Sequence, residues 1–227
     1  MILYQIVRFL IWVVAKLFWR TSFEGLENVP AEGAFILAPV HRSFIDFGIV
    51  SGVTRRRMGY MGKESLWNSA LLGRFISTLG AFPVNRGAPD REALRRSQDL
   101  LDRGEPLVLF PEGTRRHGPV IEHLADGTAF LASRSAVPIV PVGIGGSERA
   151  LPKGKRLPRP VRIHVLVGPP LAPPPVAEGA SHPSRRAVKE LTVHLQEVLQ
   201  DLFDRAQRTA GVEVPVNQPS PPDVSEM

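Results

Sequence analysis

The sequence contains no cysteine, which excludes disulfides, thiolate nucleophiles and cysteine-ligated metal sites. Its six histidines show none of the short paired spacings that metal-binding motifs use. The Gly-x-Ser-x-Gly motif of serine hydrolases is also missing, and with it their nucleophile elbow. We therefore expect no metal, no resident cofactor and no covalent intermediate on the protein.

A long uncharged apolar run is absent as well. Residues 1–20 are strongly apolar, but Gln5, Arg8, Lys16 and Arg20 interrupt them and share a sector of roughly 120° on a helical wheel. A spanning helix needs ~20 apolar residues, and a charge at its centre costs roughly 2.5–3.5 kcal/mol. The pattern favours an amphipathic helix on a membrane surface over a spanning helix, a signal peptide or a soluble helix packed on its own domain.

The charge of the chain is unbalanced. Its 227 residues include 28 Lys and Arg against 22 Asp and Glu, a formal net charge of +6. Such a balance favours an anionic partner: acidic lipid, a phosphorylated substrate or nucleic acid. No nucleic-acid motif is recognisable, and the aromatic residues are not interleaved with the basic clusters. We expect an anionic membrane surface as a partner and no nucleic acid.

Short apolar runs alternate with amphipathic stretches, which is typical of an α/β sandwich. The predicted strands cover residues 22–24, 34–38, 58–61, 81–84, 107–110, 139–142 and 161–167. The predicted internal helices cover residues 43–53, 65–79, 90–101 and 127–135. The expected organisation is a membrane-surface helix (1–20), an α/β domain of about seven strands flanked by helices (21–168), a Pro-rich linker and C-terminal helix (169–208), and a disordered tail (209–227).

A histidine and an aspartate follow the second predicted strand. On a continuous helix His41 and Asp46 would point about 140° apart, so they can meet only if His41 precedes the helix. Ser43 is the predicted N-cap, which places Asp46 at the third helical position. A neutral imidazole there could take a proton from an attacking hydroxyl while the carboxylate fixes its tautomer. The alternative is that Asp46 only caps its own helix.

Cations stand just beyond three other predicted strands. Lys63 and Arg86 follow two of them, and the third leads into a turn with the backbone N–H groups of Gly113 and Thr114 and the guanidinium of Arg115. Arginine binds phosphate through paired N–H donors. Each cation alone is typical of solvated surface charge, but three at strand ends indicate a phosphate site. With the histidine, this predicts acyl transfer to a phosphate-bearing alcohol.

Four segments in order resemble the motif blocks of the glycerolipid acyltransferases, in particular the 1-acyl-glycerol-3-phosphate acyltransferases. They are Val-His-Arg-Ser-Phe-Ile-Asp at 40–46, Gly-Ala-Phe-Pro-Val-Asn-Arg at 80–86, Phe-Pro-Glu-Gly-Thr-Arg at 110–115 and Val-Pro-Ile-Val-Pro-Val at 137–142. The chain departs from many members at Val40, where they have Asn, and at Ala125, where they have Lys. These departures concern the choice of acceptor more than the reaction.

The resemblance implies His41 as general base and Asp46 as its partner. It implies an acceptor site that includes Lys63, Arg86, Glu112, Gly113 and Arg115. The implied co-substrates are an acyl thioester of coenzyme A or of a carrier protein and the lysophospholipid 1-acyl-glycerol-3-phosphate.

Several alternatives to this substrate and role stay open. The acceptor could instead be glycerol-3-phosphate, another lysophospholipid or a glycolipid. A different alternative is a non-catalytic protein that binds acidic lipid. The expected location is the cytoplasmic face of the cell membrane, in a peripheral or monotopic arrangement.

Overall fold

The computed structural model describes residues 2–85, 90–176 and 183–214. Within them, seven strands form one sheet: β1 (Ser22–Glu24), β2 (Ile36–Pro39), β3 (Gly59–Lys63), β4 (Ala81–Val84), β5 (Leu107–Val108), β6 (Ile139–Gly145) and β7 (His164–Val167). Their order is β1-β7-β6-β2-β5-β3-β4. Only β6 and β7 are antiparallel among these neighbouring described strands. The predicted α/β fold is confirmed.

The helices flank this sheet. They are α1 (Ile2–Leu17), α2 (Asp46–Ile49), α3 (Ala70–Thr78), α4 (Arg91–Asp102), α5 (Gly127–Ser135), α6 (Ser147–Ala150) and α7 (Arg185–Thr209). Short 3-10 helices cover Leu26–Asn28, Val50–Gly52 and Glu64–Trp67. The single helix predicted over residues 43–53 is therefore wrong: α2 is one turn long and continues as a 3-10 helix.

Side-chain caps and close packing position the longer helices. The Asp90 carboxylate accepts a bond from Ala93 N (2.9 Å) at the start of α4, and the Ser184 hydroxyl does so from Ala187 N (3.1 Å) at the start of α7. Helix α7 lies directly on β6, where a Cβ at Gly145 would come within 2.1 Å of the Ala206 carbonyl oxygen. Only glycine permits this approach, so α7 runs along β6 in close contact.

The central strands determine where a site can form. Strands β2 and β6 are buried along their whole length, because helices cover both faces of the sheet. Strands β2, β5 and β3 are parallel neighbours, and Leu37 of β2 and Tyr60 of β3 both pair with Val108 of β5. Their carboxyl ends therefore meet at one edge of the sheet, where α/β proteins commonly bind ligands.

Helix α1 packs on the domain along one face only. Tyr4 and Ala15 are buried, and the Tyr4 hydroxyl donates to the Arg56 carbonyl oxygen (3.4 Å). Its other face exposes apolar side chains: Ile2, Leu3, Ile6, Phe9, Leu10, Trp12, Val14 and Leu17. The described residues include no helix with the length and apolar character needed to cross a membrane.

The C-terminal helix extends slightly further than expected. Helix α7 ends at Thr209, and residues 210–214 are described after it. Residues 215–227 lie outside the described residues, as do Arg86 and residues 177–182. The division of the chain into a membrane-surface helix, a domain, a linker and a disordered tail stays a prediction.

Candidate active site

His41 and Asp46 meet just beyond the carboxyl end of β2. His41 Nδ1 lies 3.2 Å from Asp46 Oδ2, and both side chains are buried. The same carboxylate oxygen accepts bonds from the backbone N–H groups of Arg42 (2.8 Å) and Ser43 (2.7 Å). Asp46 therefore holds the turn and the imidazole in a single arrangement. With Nδ1 facing the carboxylate, Nε2 is the nitrogen available for proton transfer.

Ser43 does not cap helix α2 as predicted. The helix begins at Asp46 itself, its N-cap is Ile45, and no side chain among the described residues caps it. The Ser43 hydroxyl instead donates to the Leu151 carbonyl oxygen (2.8 Å), far along the chain. The N-cap prediction and the third helical position of Asp46 are wrong. The pair still meets, because the carboxylate reaches back over the turn that precedes the helix.

Two aromatic rings hold the imidazole in place. The Phe110 ring centroid lies 4.1 Å from that of His41, and Phe47 meets the imidazole edge-on at 5.2 Å. Phe110 precedes the Pro-Glu-Gly-Thr-Arg turn, and Phe47 belongs to α2. The histidine is thus packed between the two segments that the sequence singled out.

Glu112 is buried beneath the histidine and is committed to the protein. Its Oε1 accepts a bond from the His41 backbone N–H (2.7 Å), and its Oε2 accepts one from the Arg42 guanidinium. Arg42 is 1% exposed, donates to the carbonyl oxygens of Gly118 and Val120 (both 3.1 Å), and stacks over a phenylalanine ring of α7. Both carboxylate oxygens of Glu112 thus face protein donors, which differs from the acceptor-binding role that the resemblance implied.

The sequence does not identify Arg42 as a buried residue. His41 is recognisable by its spacing to Asp46, whereas a lone arginine after a strand is typical of surface charge. The one feature of the sequence that could indicate a buried arginine is Glu112 of the Phe-Pro-Glu-Gly-Thr-Arg block, for which the sequence shows no obvious ion-pair partner. Burial of the pair depends on how β2 and β5 lie side by side, which the sequence does not reveal.

The turn after β5 presents its polar groups beside the histidine. The Arg116 backbone N–H donates to the His41 carbonyl oxygen (2.9 Å), which fastens the turn to it. Gly113 has φ +66°, a left-handed conformation that glycine adopts without strain, and Gly113 and Thr114 are exposed. Arg115 is half-buried. The turn is therefore an open surface with backbone, hydroxyl and guanidinium donors near His41.

Lys63 stands at the same edge of the sheet but further away. It is the exposed last residue of β3, which is separated from β2 by β5. Neighbouring strands are about 4.8 Å apart, so this end of β3 is roughly 10 Å from the end of β2. At that distance Lys63 and His41 are better placed to contact the two ends of one small substrate than to contact the same ligand atom.

An apolar cavity of about 540 Å³ opens beside the histidine turn, between α1, α2, α3 and β3. Its lining includes Ile11 of α1, Phe47 of α2, Met61 of β3 and Ile76 of α3, together with Trp19, which follows α1. Burial raises the pKa of the Tyr60 hydroxyl in its wall well above the usual range, so this group stays neutral. The sequence predicted no cavity, because its walls come from distant segments.

Comparison of the amino-acid sequence with known proteins identifies the family. Residues 20–145, more than half of the chain, match the acyltransferase family. The 1-acyl-sn-glycerol-3-phosphate acyltransferase of Bacillus subtilis is 28% identical over 180 residues, which cover 79% of this chain and 86% of that protein. The chloroplastic 1-acyl-sn-glycerol-3-phosphate acyltransferase BAT2 of Brassica napus is 26% identical over 140 residues, 60% of this chain but 40% of that longer protein.

The fold is also that of a solved structure. The 1-acyl-sn-glycerophosphate acyltransferase PlsC of Thermotoga maritima superposes with a TM-score of 0.66 at 21% identity, over 92% of this chain and 94% of that one. The resemblance drawn from the four motif blocks is confirmed. Since the matched region contains the histidine turn, the Phe-Pro-Glu-Gly-Thr-Arg turn and the strands that carry them, this chain belongs to the acyltransferase family.

Proposed function

We propose that this protein moves a fatty acyl group from an acyl thioester to the free hydroxyl of 1-acyl-glycerol-3-phosphate, giving phosphatidic acid for phospholipid biosynthesis. The observation that carries the proposal is the buried His41–Asp46 pair. It lies between an apolar cavity and a turn with several hydrogen-bond donors that can bind a phosphate. The names of the Bacillus and Brassica relatives support this acceptor.

His41 acts as general base in the proposed reaction. Its Nε2 takes the proton of the acceptor hydroxyl as that oxygen attacks the thioester carbonyl carbon. The new C–O bond replaces the C–S bond, and the leaving thiolate recovers the proton from the imidazolium. Asp46 keeps Nδ1 protonated and stabilises the imidazolium that forms.

Transfer is direct, without an acyl-enzyme. Ser43, two residues after His41, already donates its hydroxyl to the Leu151 carbonyl oxygen. The acyl chain lies in the apolar cavity, where each buried methylene contributes about 0.8 kcal/mol. In this arrangement the thioester carbonyl lies near Phe47, whose ring contacts the His41 imidazole.

The acceptor phosphate meets the cationic groups at the sheet edge. Thr114 and Arg115 bind it from the turn beside His41, and Lys63 approaches from β3. Arg86 follows β4, the neighbour of β3, and is assigned to the same phosphate. Glu112 serves this site indirectly, because it holds the His41 backbone and the Arg42 guanidinium.

Helix α1 holds the protein at the membrane that carries the acceptor. Its outward apolar residues, such as Phe9 (55% exposed) and Leu17 (78% exposed), offer surface for burial among acyl chains. Lys16 and Arg20 can meet anionic head groups at roughly 1 kcal/mol each. We assign the protein to the cytoplasmic face of the membrane, as a peripheral or monotopic protein.

A single assay tests the proposal. Purified full-length protein is given one labelled acceptor at a time: 1-acyl-glycerol-3-phosphate or another lysophospholipid in vesicles, or glycerol-3-phosphate in solution. Acyl-coenzyme A and acyl carrier protein thioester are supplied in turn, and the His41→Ala protein is the control. Phosphatidic acid should dominate the products. Binding of acidic vesicles without any acyl product would favour a non-catalytic lipid-binding protein.

A further inference from the structure

The segment that begins in the last two residues of α6 and leads towards β7 carries an unusual charge. Residues 149–162, here called the basic loop, contain no Asp or Glu and six cations: Arg149, Lys153, Lys155, Arg156, Arg159 and Arg162. This equals the formal net charge of the whole chain, +6. The remaining residues hold 22 cations and 22 acids, so the net positive charge of the protein is concentrated in one loop.

The basic loop is fastened to the catalytic turn and to the cavity wall. At its base, Arg159 N donates to the Ala150 carbonyl oxygen (2.7 Å). The Leu151 carbonyl oxygen accepts from the Ser43 hydroxyl (2.8 Å), and the Arg159 carbonyl oxygen accepts from Trp19 Nε1 (3.1 Å). Trp19 lines the apolar cavity. The loop thus borders both the histidine turn and the cavity.

The cations of this loop point to a ligand outside the protein. Lys153, Lys155, Arg156 and Arg159 are exposed, and among the described residues none of them forms an ion pair. An extended chain covers about 3.3–3.6 Å per residue, so the tip of a loop closed at Ala150 and Arg159 extends at most about 15 Å. All these charges therefore stay close to the reaction site.

We propose that the basic loop binds the phosphate-bearing nucleotide head of a coenzyme A thioester. The inference rests on the proposed function and names the site of its donor. Such a donor is linear: an apolar chain, a thioester, then a polyanionic head. The protein offers the matching sequence of an apolar cavity, His41 and the basic loop. Prolines at 152, 158 and 160 restrict the loop and lower the entropy lost when a ligand orders it.

The test compares two matched triple variants. Lys153→Gln/Lys155→Gln/Arg156→Gln neutralises the loop. Arg185→Gln/Arg186→Gln/Lys189→Gln removes three exposed cations at the start of α7. Helix α7 runs alongside β6 in the same direction, with Leu202 next to Gly143 and Ala206 next to Gly145. At 1.5 Å per residue its start lies roughly 25 Å from that contact, toward the opposite sheet edge.

Each protein is assayed with an acyl-coenzyme A and with the same acyl group on pantetheine, which lacks phosphates. The native protein and the α7 control should prefer acyl-coenzyme A in kcat/KM. In the loop variant the ratio of kcat/KM for acyl-coenzyme A to kcat/KM for the pantetheine thioester should fall about tenfold. This is the combined effect expected from the loss of three exposed ion pairs. Use of the pantetheine thioester should be the same in all three proteins. An unchanged preference in the loop variant would overturn the proposal.

A second measurement does not depend on turnover. Binding of free coenzyme A is measured by calorimetry on the full-length His41→Ala protein, with and without each triple substitution. Weaker binding only with the loop substitutions supports the proposal, even if no acceptor is acylated and the proposed function fails. Equal binding with and without the loop substitutions contradicts it.

The loop could instead contact a carrier protein or the membrane. In that case the loop variant uses acyl-coenzyme A as well as the α7 control does, but its use of a carrier-protein thioester or its flotation with vesicles falls. Either result would show that the proposal is wrong.

Discussion

Replacing Glu112 with alanine is expected to lower the free energy of unfolding by about 3–5 kcal/mol. The carboxylate lies against the Arg42 guanidinium, and the two side chains are 2% and 1% exposed. Removal of one partner leaves the other charge buried without a counterion, which is the costly way to break such a pair. The His41 backbone N–H also loses its acceptor.

The magnitude can be compared with that of an exposed pair of the same chemistry. Glu92 and Arg96 on α4 form a bond of 2.8 Å, but the two side chains are 62% and 46% exposed. Glu92→Ala should therefore cost about 0.5 kcal/mol or less. For a domain of this size, 3–5 kcal/mol corresponds to a fall in Tm of about 6–20 °C. The two variants should be clearly separated in a urea or thermal unfolding experiment.

A double variant with its two single variants, and the variant Glu112→Gln, separate the cost of the buried charge from other effects. The double variant Arg42→Met/Glu112→Leu should be less destabilised than the sum of Arg42→Met and Glu112→Leu alone, because it removes both charges together. Glu112→Gln keeps the shape of the side chain and serves if the alanine variant does not fold. Its kcat should fall, since the His41 turn loses its charged support, while KM for the acceptor changes little.

One pattern would refute this reasoning. If Glu112→Gln and Glu112→Ala unfold like the native protein while KM for the acceptor rises, Glu112 contacts the acceptor, as the sequence resemblance implied. The Arg42–Glu112 pair would then not be the support of the histidine turn that its geometry indicates.

Three other variants test the remaining parts of the proposed site. His41→Ala should lower kcat by roughly 10²–10⁴ with a normal unfolding curve, and near-native turnover would remove His41 as general base. Arg115→Ala should reduce kcat/KM for a phosphate-bearing acceptor about ten- to a hundredfold and leave KM for the donor unchanged; equal losses for both substrates would place the phosphate elsewhere. Phe9→Ser/Leu17→Ser should weaken flotation with anionic vesicles, whereas Val193→Ser on α7, also exposed, should not. Full flotation of the α1 variant would mean that another surface binds the membrane.

Local patterns in the sequence were sufficient for several elements. Strands β1 and β4 and helix α5 have their predicted bounds. Glycines in the left-handed conformation stand at the end of β1 (Gly25) and at the start of β4 (Gly80), where they mark the limits of these strands. Strand β5 was predicted over residues 107–110 but pairs only at Leu107 and Val108, since the chain then enters the turn that carries Glu112. An apolar run indicates burial, but it does not show how far a neighbouring strand continues beside it.

Some features of the candidate site can also be predicted from the local sequence, and others cannot. The meeting of His41 and Asp46 could be predicted, because their spacing left only one arrangement in which the side chains touch. The capping by Ser43 could not, because its hydroxyl bonds a carbonyl group 108 residues away, and that competing partner is invisible in the local sequence. Arg86 lies outside the described residues, so its place beside the acceptor stays a prediction.

The sequence by itself determined the alternation of strands and helices, the histidine–aspartate pair and the amphipathic character of the first helix. These follow from side-chain periodicity and spacing within short segments, which act before any distant contact forms. The strand order, the antiparallel β7, the Arg42–Glu112 pair, the cavity and the nearness of the basic loop were decided by tertiary structure. Each depends on segments far apart in the chain, as in the bond between Trp19 and Arg159 across 140 residues, and such contacts exist only once the sheet has assembled.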